Sequence, residues 1–119
     1  MYTIIYIYRI KKVHEQTFLD ITEKASEIYL ANGALEDTTY LADALHGQHG
    51  CTGLMSIIDV AEDEAVYLGQ SVFRNKSHYE DVMKQVNQDE EISRLYDEMT
   101  KIIDFTRVIS ATFTTGDRK

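Results

Sequence analysis

The chain of 119 residues has no proline, no tryptophan and a single cysteine, Cys51. One thiol excludes an internal disulfide and suits a reducing compartment, so the fold must be held by its core. No apolar run is long enough for a membrane span. Met1 leads straight into an alternating segment, without the basic start and apolar stretch of a signal peptide, and no lipidation motif is present. Basic residues are scarce: 12 Lys and Arg stand against 20 Asp and Glu, a formal net charge of −8. That balance speaks against nucleic acid and anionic membranes as partners, because both need a basic patch. There is also no glycine-rich phosphate loop, no Ser/His/Asp spacing and no defensible pair of carboxylates. These absences lead to the expectation of a soluble, acidic, cytoplasmic protein without a cofactor.

What is present is enough for a core. The hydrophobic fraction is 44%, ordinary for a globular protein, and a chain of this length buries roughly two-thirds of its unfolded surface. We expect one domain over residues 1–114, with 115–119 a frayed tail.

Periodicity then supplies the elements. Tyr2–Arg9 is rich in β-branched and aromatic residues and apolar on both faces, with Tyr2, Ile4, Tyr6 and Tyr8 on one and Thr3, Ile5, Ile7 and Arg9 on the other. A strand of that kind is central and covered on both sides. Phe18, Ile21, Ala25, Ile28 and Tyr29 recur at helical spacing, and the helix closes at Asn32-Gly33, where glycine can take a positive φ. Ala34–Ala42 reads as a more polar strand near an edge. Asp43–Gly53 holds three glycines and reads as a loop, and Leu54–Val60 as a short strand or a helical turn. Ala65–Arg74 is a strand with Val66, Leu68, Gln70 and Val72 on one face. Its other face carries Tyr67, Gly69, Ser71 and Phe73, and the small Gly69 and Ser71 would let a helix approach closely. Ser77 and Glu80 form a capping-box pattern before a second helix. Asn87–Asp89 breaks that helix, and Asp89 can cap its continuation through Ile92, Leu95, Tyr96 and Met99. Phe105–Thr114 is the last strand.

The order β-α-β-β-α-β, with the second long helix broken in two, predicts an α+β ferredoxin-like sandwich with an antiparallel sheet. If both helices cover one face, the other is left bare. We assign Tyr2, Ile4, Tyr6, Tyr8, Leu68, Val72 and Val108 to that bare face and expect a homodimer in which two sheets face each other.

Several short motifs carry a family resemblance: Gly33-Ala34-Leu35-Glu36 after a helix, Asp43, Ser77-His78-Tyr79-Glu80-Asp81-Val82, and Asp104 with Arg107 and Phe113. In these the chain resembles the bacterial YbaA-like family over nearly its whole length. The resemblance implies a dimeric α+β barrel and no particular reaction. The chain departs from that family's pattern in having Ile10-Lys11-Lys12-Val13 where prolines are usual, Ala44 beside Asp43 where a second acid is usual, Thr39 for an acid and Gln70 for a tryptophan.

Three places could carry chemistry. Tyr2, Tyr6 and Tyr8, with Gln70, Ser110 and Thr112 assigned to the same side, could line a space between the sheet and its partner that takes a small apolar or aromatic ligand, since buried phenol hydroxyls need partners. Core packing is the plainer account of the same residues. His78, near a helix start, is the candidate acid or base for an alternative function, a cofactor-free oxygenase or isomerase of the kind found in the dimeric α+β barrel superfamily. The plainer account is a capping-region histidine. His46, His49 and Cys51, with Asp43, could ligate a metal, but their spacing matches no zinc motif, and a polar loop is the simpler reading.

Overall fold

The computed structural model describes residues 1–116. Strand β1 (Tyr2–Lys11) is followed by a short 3-10 turn and helix α1 (Glu15–Ala31), then β2 (Glu36–Leu41), β3 (Glu64–Phe73), α2 (Lys76–Val86), α3 (Glu90–Thr100) and β4 (Ile109–Thr114). The four strands form one antiparallel sheet in the order β2-β3-β1-β4, with β1 and β3 central. This is the ferredoxin-like α+β arrangement. The molecule is 41 × 38 × 21 Å. Its thinnest dimension suits one sheet and one helical layer, since packed layers lie about 10 Å apart.

Local chemistry explains the element ends. Gly33 takes φ +109° just past α1, a conformation that a Cβ would strain. The amide of Ala34 returns to the carbonyl of Tyr29 at 3.0 Å, which turns the chain into β2. The break expected at Asn87–Asp89 is there, and the Asp89 side chain accepts from the Glu91 amide at 2.8 Å. The start of α2 differs from the Ser77 capping box. Asn75 is the cap, accepting from the His78 amide at 2.8 Å, and the helix begins at Lys76. Asparagine and serine are near-equal caps, and here the end of β3 at Phe73 sets which of them stands at the turn. Leu54–Ser56 is a 3-10 turn, and β4 begins only at Ile109, after a further such turn at Phe105–Arg107. Thr115 is tied down by its amide, which donates to the Met1 carbonyl at 3.0 Å. The rest of the expected frayed tail, 117–119, lies outside the described residues.

The register corrects the assignment of faces. Tyr2 stands opposite Phe73, Ile4 opposite Ser71, Tyr6 opposite Gly69 and Tyr8 opposite Tyr67. The tyrosine face is therefore the one the helices cover. Its two core clusters are Ile10, Phe18, Ile21, Tyr67, Leu95 and Met99, and Ile4, Ala34, Phe73, Val82 and Val86. The bare face is the other one, with Ile5, Ile7, Leu68, Ile109 and Phe113; Val72 lies on the same side of β3 but is buried. Gly69 and Ser71 do face the helices as their small size suggests. They are cross-strand from the tyrosines, and a one-residue change of register moves every side chain to the opposite side. Gly69 has a specific reason: a Cβ there would stand 3.2 Å from Cε2 of Tyr8.

An ion pair between buried Glu64 and exposed Arg107 closes the far end of the sheet. Glu64 is 8% exposed and receives Arg107 Nη1 at 2.7 Å and the Ala61 amide at 3.0 Å. The Arg107 hydrogen bond, helped by the Ala61 amide, holds the Glu64 carboxyl down at about 2. Because the folded-state value lies below the ordinary 4.5, the pair stabilises fully above that pH, and its contribution is lost as pH falls towards 2. Glu64→Gln is expected to lower the unfolding free energy by about 2 kcal/mol at pH 7, between the values for exposed and fully buried pairs, and by much less at pH 2. Urea titration at the two pH values checks this; an equal loss at both would assign the effect to packing.

Candidate ligand-binding site

Between the sheet and helices α1 and α3 lies a cavity of about 340 Å³, within the range of small-molecule sites. Its sheet side carries Tyr6, Tyr8, Gly69 and Ser71, and its edge Asp37 and Thr39 of β2. Its helix side carries Ile21, Ala25 and Tyr29 from α1 and Ile92, Leu95 and Met99 from α3. Tyr96 and Phe105, stacked at 5.0 Å between ring centres and both solvent-exposed, border it as well.

The sequence places these groups for separable reasons. In β1, Tyr6 and Tyr8 share a face through the two-residue strand period, and their rings stack at 6.0 Å over the space left by Gly69. Tyr8 is also held edge-on by Phe18 at 5.0 Å. Tyr29 follows Ile21 and Ala25 at four-residue helical steps, so it points to the same space from above. Asp37 is opposite Ser71 in the ladder. The Ser71 hydroxyl donates to Asp37 Oδ2 at 2.7 Å, and the Ser26 hydroxyl of α1 donates to the Asp37 main-chain carbonyl at 2.8 Å. These two bonds fix β2 against both layers.

The electrostatics are unusual for so acidic a chain. Burial pushes the Tyr6, Tyr8 and Tyr29 hydroxyls above the ordinary phenol value, and their mutual repulsion and that of Asp37 add to it. These groups stay protonated as donors. Burial also raises the Asp37 carboxyl, against the opposing effect of the Ser71 hydrogen bond. The cavity wall includes no Lys, Arg or His, so no cation offsets that cost. Among the described residues, none of the three phenol hydroxyls hydrogen-bonds to another side chain or carbonyl.

An Asp held above its ordinary value contributes most to stability below pH 3.8, and that contribution declines as pH rises through the raised value. Asp37→Asn keeps an acceptor for Ser71 and removes the buried charge, so it is expected to melt higher than the wild type at pH 7 and no higher at pH 3. Calorimetry at both values checks this. A lower melting temperature at pH 7 would mean that the carboxylate is a stabilising group.

Of the residues singled out in the sequence, Tyr6, Tyr8 and Gln70 border the cavity. The ladder sets Gln70 opposite Ile5, so its side chain belongs to the bare face. Tyr2 packs on Tyr79 at 5.3 Å, away from the cavity. Ser110 is on the tyrosine side, opposite Tyr6, but exposed at the edge strand. His78 sits where β3 passes into α2. Its Nδ1 accepts from the Arg74 amide at 2.9 Å and its ring meets Phe73 at 5.9 Å, outside the cavity. His46, His49 and Cys51 are exposed, and among the described residues no three His, Cys, Asp or Glu side chains are grouped to hold a metal. Sequence reasoning missed Tyr29 and Asp37. Tyr29 was readable as part of the α1 apolar face, whereas Asp37 carried no signal that set it apart from Glu36 beside it in β2.

The fold is that of a two-layer α+β protein of the ferredoxin-like class with a cavity between sheet and helices. The chain belongs to the DUF1428 family, described as proteins of unknown function, whose model matches residues 1–105. Two solved structures share the fold. Protein Atu4242 from Agrobacterium tumefaciens is 12% identical with a TM-score of 0.57, the match covering 99% of this chain and 96% of that one. An uncharacterised NIPSNAP domain protein from Burkholderia xenovorans is 12% identical with a TM-score of 0.58, covering 100% and 98%. No curated protein matches. Among the described residues, no helix is long and apolar enough to cross a membrane.

Proposed function

We propose that this protein binds a small, largely apolar or aromatic molecule carrying at least one hydrogen-bond acceptor, in the cavity between its sheet and helices. The observation that carries this reading is the convergence of Tyr6, Tyr8 and Tyr29, with no intramolecular hydrogen bond to their hydroxyls, on a space otherwise walled by Ile21, Ala25, Ile92, Leu95 and Met99. A cavity needed only for packing would be filled by side chains, and the three half-buried phenols open their hydroxyls onto it: among the described residues the fully buried, unpaired side-chain polar atom is Arg9 Nε and not a phenol oxygen. On this reading the ligand lies within one subunit and not between the sheet and a partner.

The test is a thermal-shift and NMR titration with bicyclic aromatic ketones and phenols. Binding is expected to raise the melting temperature, and Tyr6→Phe to weaken affinity about five- to tenfold, the cost of one hydrogen bond of about 1 kcal/mol. An unchanged affinity in Tyr6→Phe, Tyr8→Phe and Tyr29→Phe alike would sink the reading.

The bare sheet face supports a homodimer. Ile5, Ile7 and Leu68 are half-buried there without a helix over them, and Ile109 and Phe113 are 39% and 58% exposed. A second copy would cover such a face symmetrically. A cytoplasmic location and a place within the YbaA-like group belong to the same proposal, resting on the lone cysteine and on the motifs around Gly33 and Ser77.

A further inference from the structure

We propose that the cavity catalyses proton transfer at a carbon next to a carbonyl group, with the Asp37 carboxylate as the base and the tyrosine hydroxyls as hydrogen-bond donors to the carbonyl oxygen. This inference rests on the reading of the cavity as a ligand site and adds a reaction and a substrate class to it.

The argument starts from the inventory of the wall. It holds one acid and no base stronger than a carboxylate. Asp37 has no cation partner there, so it is not an ion-pairing residue, and its cost is not explained by stability. One oxygen takes the Ser71 hydroxyl at 2.7 Å. Ser71 and Ser26 together fix the residue from the sheet and from α1, as a positioned group requires.

The phenols cannot share the role of base, because burial keeps them protonated. They can donate to an oxygen on which negative charge develops, in a site of low polarity where such bonds count for more. An aspartate base beside a phenol donor in an apolar pocket is a sufficient set for enolisation without metal or redox cofactor.

The step balances within the site. The Asp37 carboxylate takes the proton from the carbon next to the carbonyl. The C–H electron pair forms the carbon–carbon double bond of the enolate, and the carbonyl π pair moves onto oxygen, where the tyrosine hydroxyls hold it. Asp37, now protonated, returns the proton to the same carbon or to another carbon of the conjugated system. The product is the starting ketone or its isomer, with no change in oxidation state. The substrate class is an enolisable ketone with an aromatic or conjugated ring, which the aliphatic walls and the stacked Tyr96 and Phe105 can accommodate.

The experiment uses 2-tetralone in deuterated buffer with the full chain. Proton NMR follows loss of the hydrogens next to the carbonyl, and a titration of protein chemical shifts reports binding separately. The wild type is expected to speed exchange about a hundredfold or more over buffer at saturating protein. Asp37→Asn should bind the probe and return exchange to the buffer rate, and Asp37→Glu, which keeps a displaced carboxyl, should recover part of it. Tyr6→Phe and Tyr29→Phe should each slow it severalfold. Binding without faster exchange in the wild type, or full exchange in Asp37→Asn, overturns this inference and leaves the ligand site standing. Absence of binding at millimolar probe, with no response to the other aromatic ketones and phenols, overturns both.

Discussion

Phe18→Ala is expected to lower the unfolding free energy by about 4 kcal/mol, within the range for removing a fully buried phenylalanine. Phe18 has no exposed surface. Its ring contacts Tyr8 and Tyr67, both at 5.0 Å between centres, and it belongs to the cluster formed with Ile10, Ile21, Leu95 and Met99. Alanine removes the ring and both aromatic contacts, and the sheet and α1 cannot close over the gap without moving β1. A domain of this size holds only about 5–15 kcal/mol in all, so the variant should melt well over 10 °C lower. The loss should extend to the site, because Tyr8 is held over Gly69 from the Phe18 side. Val13→Ala, at a position 84% exposed, should stay within about 0.5 kcal/mol of the wild type. Urea denaturation of the two variants is the measurement. A loss below 1 kcal/mol for Phe18→Ala would mean that the helix layer is not packed on this face as described.

Ile7→Glu is expected to convert a dimer into a folded monomer. Ile7 lies on a central strand of the bare face, with Leu68 and Ile109 as its cross-strand neighbours. In a symmetric dimer each copy would bury its own glutamate, and an unpaired carboxylate taken from water costs several kcal/mol. Two of them would weaken association by more than about a thousandfold. The helix-side core should be untouched, since Ile7 belongs to neither cluster, and the circular dichroism spectrum should stay that of the wild type. Light scattering at micromolar concentration should read twice 13.7 kDa for the wild type and 13.7 kDa for the variant. A wild type that is itself monomeric would overturn the dimer proposal while leaving the fold and the cavity as they stand.

Much of the fold is legible in the residues. The 3.6-residue spacing of Phe18, Ile21, Ala25 and Ile28 marks α1, Asn32-Gly33 ends it, and Asn87–Asp89 breaks the later helix. These signals are local, because a backbone turn or a helix end is decided within a few residues. The site is legible only in part. Tyr6 and Tyr8 stand out as aromatic residues on one strand face. Tyr29 and Asp37 come into the same space only when α1 lies across the sheet and β2 pairs with β3, and neither event leaves a mark in nearby sequence. His78 shows the converse. It looks chemical in sequence, yet in the fold its Nδ1 is occupied by the Arg74 amide.

The sequence by itself determined the element order, the joint at Gly33, the broken helix and the small, close-approach face of β3. Only the tertiary structure decided which face of β1 the helices cover. Both faces of Tyr2–Arg9 are apolar, so burial alone does not choose between them; the choice follows from pairing Tyr6 with Gly69, where the ring of Tyr8 fits and a side chain would not. That one register puts the tyrosines inside with Asp37 and leaves Ile5, Ile7 and Leu68 outside.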